Sequence, residues 1–493
     1  MHKVGIIDIG SNSVRLIIAQ IMNSVNFRII YELKEAVRLG KDMNEDNRLD
    51  PLRMAKALNA ISSFKTICNA MQVTNIIAVA TEAVRRASNQ DDFLNMIKQT
   101  TGIEVRILSG YEEAYYDYMG VINSMDMPEA LVIDIGGSST EFIYIKDYKP
   151  AHSISVAYGS ISLTDQYNKD PEGFKSFIAS LLNNIPWVYA AADIPIIGIG
   201  GTFRNIGKID RKRKAYPIDA AYNYHLSNDD LDNILNSALE KISGKIKKIK
   251  GLSTDRSDIF IGPICALRNI INACGTKGIY ISGSGVREGL LYEHILGYGK
   301  KLENVLDYSL QNILLNFEID QNHAFRVYEL NLKLYNQLSG LLPAFFDPYK
   351  IIKTAALLHD AGIKLNFYDH HKHTFYMIIN SKINGLSHKE LLMSAYVAAL
   401  HRKDEFKIDF LEYKALLDSN DELFIQVLGL LLKISEKLDC KMDGNIQDIN
   451  CSFYDNSVII KVTSKGDALM EIEGAMTCKN TFKRLLGRKL LIV

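Results

Sequence analysis

The chain lacks a net charge: lysine plus arginine and aspartate plus glutamate each number 57 in 493 residues, so no global field draws it to nucleic acid or to a membrane surface. Paired cysteines are missing as well. The six (Cys68, Cys265, Cys274, Cys440, Cys451 and Cys478) are scattered without a C-x-x-C pair, which argues against a disulfide framework or a thiolate zinc site. No apolar run approaches the roughly 20 residues needed to span a bilayer. The N-terminus runs straight into a strand broken by Asp8, unlike a signal peptide. These absences predict a cytoplasmic protein with neither membrane nor nucleic acid among its partners. Any polyanion must then be held by local patches. Arg211-Lys212-Arg213-Lys214 and the stretch Lys245 to Lys250 are candidates, although a solvated face is the better reading of each.

What is present is an ordinary globular balance, 47% hydrophobic and 23% charged, over a length that predicts about two to four domains. Two runs organise the first half: Val4 to Ser13, containing Asp8-Ile9-Gly10-Ser11-Asn12-Ser13, and Leu131 to Glu141, containing Asp134-Ile135-Gly136-Gly137-Ser138-Ser139-Thr140-Glu141. Each is an apolar strand that reaches an aspartate, turns through glycine and hydroxyl residues, and resumes as a second strand. Glycine allows close backbone approach to a ligand, and successive turn N–H groups with Ser and Thr form an anion-binding concavity. In the second run, Asp134 and Glu141 bracket the loop, an arrangement able to hold Mg²⁺ and orient a water. The same device twice predicts a duplicated fold closing on a phosphate-bearing ligand.

Between and after these runs, strands alternate with helical periods, which indicates an α/β architecture. Strands are expected at Phe27 to Leu33, Ile76 to Ala80 and Ile103 to Leu108, and a helix at Pro51 to Met71. Arg85 follows the second of these strands, where it either reaches phosphate or lies on the surface. Ser109 and Glu112 form a capping box that opens a helix. Glu113 beside it serves as a general base or as a favourable charge at the helix start, and the residues alone favour the second. Ile196 to Thr202 and Ile279 to Gly285 are further strands that empty into glycine turns, placing four loops around one cleft.

In order along the chain, the Asp8 to Ser13 run, Thr81-x-x-x-Arg85-x-x-x-Asn89, Ser109-Gly110-Tyr111-Glu112-Glu113-Ala114 and the Asp134 to Glu141 run resemble the signatures of the exopolyphosphatase/guanosine pentaphosphate phosphohydrolase (Ppx/GppA) family. Gly200-Gly201-Thr202 and Ser282-Gly283-x-Gly285-x-Arg287-Glu288-Gly289 follow in the family's order. The resemblance implies a duplicated actin-like, sugar-kinase-like (ASKHA) two-lobe fold, with lobe I over 1–124 and lobe II over 125–299. It further implies Glu113 as catalytic base, Asp134 and Glu141 as Mg²⁺ ligands that position the attacking water, and Ser11, Asn12, Ser13, Arg85, Gly136, Gly137, Ser138 and Ser139 as phosphate contacts. Ser138 stands where the family usually has a third glycine, and is expected to crowd the terminal phosphate slightly without loss of activity.

From about Asn304 strands nearly vanish. His323, His359-Asp360, His373, His401 and Asp439, spaced along helical stretches, resemble the set that ligates one or two divalent metals in the HD phosphohydrolase superfamily. Imidazoles and carboxylates on a helical scaffold suit Mn²⁺, Fe or Zn²⁺. For each lone histidine, a core or surface position is the competing reading. The expected organisation is therefore an all-helical HD-like domain over 300–445, then a small α+β cap over 446–493. In the cap, Ser457 to Val462 and Ala468 to Ile472 read as strands and Lys479 to Leu486 as a short helix. In long members of the family, the equivalent of the helical region helps to form a polyphosphate channel and the dimer, so a homodimer is expected.

The implied activity is exo-hydrolysis of terminal phosphate from inorganic polyphosphate, with guanosine pentaphosphate as the alternative substrate. Phosphoryl transfer needs charge neutralisation and an in-line nucleophile more than covalent help. A kinase of the same fold would need a nucleotide pocket at Gly200-Gly201-Thr202, and a non-catalytic phosphate or alarmone sensor would have no need of a base.

Overall fold

The computed structural model describes every residue except 1, 24, 42, 44, 45, 343–346 and 403–409. The chain divides into two compact units, Met1–Val305 and Leu306–Val493. In the first, β1 (His2–Ile9), β2 (Val14–Ile21) and β3 (Phe27–Glu35) form an antiparallel meander. Beside it, β4 (Asn75–Ala80) and β5 (Val105–Ile107) run parallel to β1, giving the order β3-β2-β1-β4-β5. The central strand β1 is apolar and buried on both faces, as its continuous Val4–Ile7 run demands, while the edge strand β3 carries the charges. The crossover from β3 to β4 contains the helix Pro51–Ala70. Asp50 caps it by accepting from the Arg53 backbone N–H, and Pro51 fills a first-turn position where no N–H is needed.

The second sheet repeats the plan. β6 (Ala130–Ile135), β7 (Thr140–Lys146) and β8 (Lys149–Val156) form the meander, β9 (Ile196–Ile199) and β11 (Ile279–Ile281) extend it in parallel, and β10 (Tyr224–Leu226) closes the edge. This is the expected duplicated two-lobe architecture, each sheet covered by its own apolar clusters. The registers match closely. Asp8 faces Arg15 across the first hairpin, and Asp134 faces Glu141 across the second, each pair seven residues apart.

The second unit is helical from Val305–Asn316 to Ser419–Lys437. It then forms a sheet of β12 (Ile446–Tyr454), β13 (Ser457–Ser464) and β14 (Lys489–Ile492). Lys479–Leu486 is a helix, as its sequence predicts. Ala468 to Ile472 is not a strand: the segment opens the helix Leu469–Met476. Its buried positions Ala468, Glu471 and Ala475 recur at three and four residues, and the buried Glu471 carboxylate is tied to Lys441 and Asn445. Among the described residues, no helix is long and apolar enough to cross a membrane.

The helix Gly110–Ile122, which connects the two sheets, starts on the predicted capping box. Ser109 Oγ accepts from the Glu112 N–H (3.2 Å), and the Glu112 carboxylate accepts from the Ser109 N–H (2.8 Å). Replacing Ser109 with alanine is expected to cost about 1 kcal/mol, read as a lower urea midpoint with an unchanged denaturant slope.

Candidate functional site

The two hairpin turns meet at Gly137, where an added Cβ would stand 2.8 Å from Ser11 Cβ and 3.3 Å from the Asn12 backbone nitrogen. A cavity of about 120 Å³ opens beside them. Ser11, Asn12, Ser13, Gly136, Gly137 and Ser139 line it, together with the carboxylates Asp8, Glu113, Asp134 and Glu288 and the guanidinium groups Arg15, Arg204, Arg256 and Arg287. Gly200, at φ +84°, turns β9 into the following helix directly beneath Asp134. A side chain there would meet Asp134 Oδ1 at 2.3 Å.

Several buried polar atoms around this cavity have no partner among the described residues: both amide atoms of Asn12 and Oδ1 of Asp134. Buried polar atoms are nearly always satisfied, so these are groups shaped for something that enters the site. Glu141 lies behind the wall, fully buried, where it accepts from Ser155 Oγ at 2.7 Å. Burial is the main reason that the Glu113 carboxyl sits well above its usual range. Glu141 adds to the push and Arg85 opposes it. Glu141 rises to about 8, first through burial and then through Asp134. Asp134 rises to about 6 through burial, against the pull of Arg204 and Arg256. Arg15 falls to about 10, through burial and then through the like charge of Arg204. The acids lean toward neutrality because they are crowded and dry, a state that a divalent cation would relieve. Their oxygen donors suit Mg²⁺.

Two expected phosphate contacts are placed differently. Arg85 does not line the cavity: its guanidinium bonds Glu82, the Leu108 carbonyl and, at 3.3 Å, Glu113. These bonds turn it toward the base instead of toward an entering anion. Ser138 does not crowd this cavity either. It faces a neighbouring one of about 430 Å³, lined also by Asn12, Arg38, Lys41, Arg86 and Ser162.

The pattern of the Ppx/GppA phosphatase family matches residues 17–297, and that of the family's domain III matches residues 305–473. The chain belongs to the Ppx/GppA phosphatase family. A guanosine-5'-triphosphate,3'-diphosphate pyrophosphatase of Pseudoalteromonas atlantica is 28% identical over 391 residues, covering 76% of this chain and 74% of that protein. The crystal structure of the Aquifex aeolicus Ppx/GppA family member superposes with a TM-score of 0.52 at 27% identity, over 61% of this chain and 99% of that one. An exopolyphosphatase from Cytophaga hutchinsonii gives 0.55 at 26% identity, over 60% and 98%. As a Ppx/GppA member, the chain is a hydrolase of phosphoric anhydrides.

The family motifs did not point to Arg15, Arg204 or Arg256. Arg15 had a signal, since it occupies in the first hairpin the place that Glu141 holds in the second. Arg204 and Arg256 come from a helix interior and a short 3₁₀ turn, with nothing local to mark them. The basic run at Arg211 to Lys214 is no anion patch: Arg211 is buried over the Tyr224 ring, and Arg213 and Lys214 are paired with Asp210 and Asp230. The lysines at 245, 247, 248 and 250 are exposed, as a solvated face requires.

In the second unit, His323, His359, Asp360 and His401 lie close together, and Asp439 is bonded to His323. His373 does not join them. His370, three residues earlier on the helix His370–Asn380, takes that place, with Nε2 2.9 Å from His401 Nε2.

Asp117, one turn beyond Glu113, is fully buried with both carboxylate oxygens unpartnered among the described residues. Burial first, then Asp134, Glu141 and Glu113, holds its carboxyl well above the usual range. The folded state therefore binds more protons than the unfolded chain, whose group titrates near about 3.9. Stability then falls as pH rises from there, by up to about 1.4 kcal/mol per pH unit until the folded group ionises. In melts in metal-free buffer, the Asp117→Asn variant is expected to gain on the parent as pH increases. A gap that stays constant with pH would mean that Asp117 is not held neutral.

Proposed function

We propose that the chain hydrolyses the terminal phosphoanhydride of inorganic polyphosphate, releasing phosphate, with Glu113 as the general base. The observation that carries this reading is a buried carboxyl of raised affinity for protons, braced by Arg85 and opening onto a cavity walled by four arginines and two hydroxyl-rich turns. A base of raised pKa still deprotonates water effectively near neutrality. The turn N–H groups, Ser11, Ser13, Ser139 and the unpartnered Asn12 amide would receive the terminal phosphoryl oxygens, and Arg15, Arg204, Arg256 and Arg287 would balance their charge. Mg²⁺ held by Asp134, with Glu141 behind it in the wall, would supply Lewis-acid neutralisation and a more acidic water. Asp8 faces Arg15 in the cradle, which leaves Glu113 to accept the proton. The larger cavity beyond Asn12, lined by Arg38, Lys41 and Arg86 and by Asp165 and Asp258, would take the remaining phosphates of a chain, with Lys41 and Arg86 as the cations not paired to Asp258.

The second reading is removal of the 5'-terminal phosphate of guanosine pentaphosphate. The Pseudoalteromonas relative, matched over 74% of its length, carries a name of that activity. Both substrates present a terminal phosphoanhydride to the same groups. The cytoplasmic location and the homodimer stay part of this proposal.

Phosphate release from long-chain polyphosphate and from guanosine pentaphosphate, each with Mg²⁺ and with chelator, separates the two readings. Glu113→Gln is expected to cut release by at least roughly 10²-fold while leaving polyphosphate binding largely intact, and chelation is expected to stop release. Near-normal turnover in the glutamine variant would sink the assignment.

A further inference from the structure

We propose that Lys34 and Arg38 are positioning residues: their ion pairs with Asp255 and Asp258 dock the turn that carries Arg256 onto lobe I, and so set that guanidinium over the anhydride cavity. Neither residue lines that cavity. The role rests on the hydrolytic reading of the site, since it concerns how one of the phosphate-facing arginines is placed.

The four arginines of the cavity are not held alike. Arg15 lies on β2, Arg204 on the helix Gly200–Arg213 and Arg287 on the helix Val286–Leu296. Arg256 ends a 3₁₀ turn of three residues, Thr254–Arg256. A turn this short gives its side chains little support of its own. The guanidinium lies against Gly201, where a side chain would collide with it, so its reach depends on where the turn is held. Within lobe II, the Ser253 N–H donates to Asn205 Oδ1 at 3.0 Å. The acidic side chains of the turn are held from lobe I. Lys34 Nζ lies 2.6 Å from Asp255 Oδ2. Arg38 donates to both carboxylate oxygens of Asp258, at 2.9 and 3.2 Å, and to the Asp255 carbonyl at 3.0 Å. The residue before Arg256 and the residue two after it are thus both clamped, the latter by a planar fork that fixes direction as well as distance.

The lobe I partners are placed for this reach. β3 is an edge strand, where charged side chains ordinarily serve to discourage pairing with another chain. Glu32 and Lys34, two residues apart, leave the same side of it. Glu32 accepts from Arg287 Nη1 at 2.9 Å, so a second cavity arginine is steadied from the same strand. Arg38 stands at φ +54°, a left-handed conformation uncommon for a residue with a side chain. The buried Val37 and Leu39 on either side keep it there, with the Arg38 N–H on the Asn12 carbonyl (2.9 Å) and the Gly40 N–H on the Ser11 carbonyl (2.8 Å). A strained residue persists only where its surroundings over-determine it, and here the result is a guanidinium aimed at lobe II. One short stretch therefore holds the Ser11-Asn12 turn with its backbone and the Arg256 turn with its side chain. All four side chains of the two ion pairs are partly exposed. Such pairs add little to folding stability, so what they contribute here is placement.

Affinity for inorganic tripolyphosphate, measured by calorimetry with Mg²⁺ on the full-length Glu113→Gln chain, tests this without requiring turnover. Lys34→Ala and Asp258→Asn are each expected to weaken binding at least roughly fivefold, and to add little once Arg256 is replaced by alanine, because changes that act through one group are not additive. Lys98→Ala removes an exposed ion pair with Glu104 elsewhere in lobe I, and is expected to leave affinity and melting temperature unchanged. Tighter binding in Asp258→Asn would mean that the released Arg38 meets phosphate itself. That result, unchanged affinity in either variant, or equal losses with and without Arg256 would overturn the positioning role. Phosphate release from polyphosphate, followed separately with Glu113 intact, reports on the hydrolytic reading: no release, with the fivefold losses present, refutes hydrolysis and leaves the positioning role standing. A chain that does not bind tripolyphosphate at all would overturn both.

Discussion

The constraint on which the first unit turns is the burial of like charges. Asp8, Glu113, Asp117, Asp134 and Glu141 crowd around one small cavity, Glu113, Asp117 and Glu141 buried and Asp8 and Asp134 half-buried, and each has its carboxyl raised chiefly by desolvation. Dry carboxylates tolerate one another only when protonated or matched by positive charge. The arginines that match them are themselves desolvated, and Arg15, Arg204 and Arg256 are weakened by burial and by each other. Neither set is comfortable alone. A phosphate meeting the arginines and a cation meeting the carboxylates would each relieve a cost that the folded chain already carries, which is how a site becomes selective for the pair together.

The duplication gives the site two hairpins built on one plan. Both hairpins place an aspartate opposite a residue seven positions on, so the geometry of the two pairs is the same. The second residue differs: arginine in the first hairpin and glutamate in the second. In the first pair Arg15 opposes the charge of Asp8, although Arg287 opposes it more. The second pair is doubly acidic and has no internal remedy. One change of sign in a repeated strand-turn-strand unit therefore gives the two copies different local charge.

Local features were readable wherever one stretch of chain decides the outcome. The strand ends at Asp8 and Asp134, the Ser109 capping box and the Pro51–Ala70 helix all follow from short-range patterns, and the structure shows them with shifts of one or two residues. The features that were not readable depend on distant partners. Arg85 looked free to meet phosphate, but Glu82, Leu108 and Glu113 turn it aside. Arg256 reaches the cavity only because Gly201, far away in sequence, has no side chain to block its guanidinium. Ala468 to Ile472 alternates as a strand would, yet packing of Glu471 against Lys441 and Asn445 makes it helical. Tertiary contacts outweigh a short alternation.

The histidines of the second unit show the same limit in a sharper form. His370, His371 and His373 lie within four residues, and spacing alone cannot say which of them faces the HD pair. The rotation of their helix is set by Thr374. Its hydroxyl donates to the His359 carbonyl at 2.8 Å and accepts from the Gly362 N–H at 3.0 Å. That anchor ties the helix to the very turn that carries His359 and Asp360. A residue four positions before Thr374 lies about 40° from it around the helix, and a residue one position before lies about 100° away. His370 therefore shares the inward face with Thr374 while His373 swings toward the rim, half-buried. The choice of histidine is made by a threonine hydroxyl that no metal-binding pattern includes.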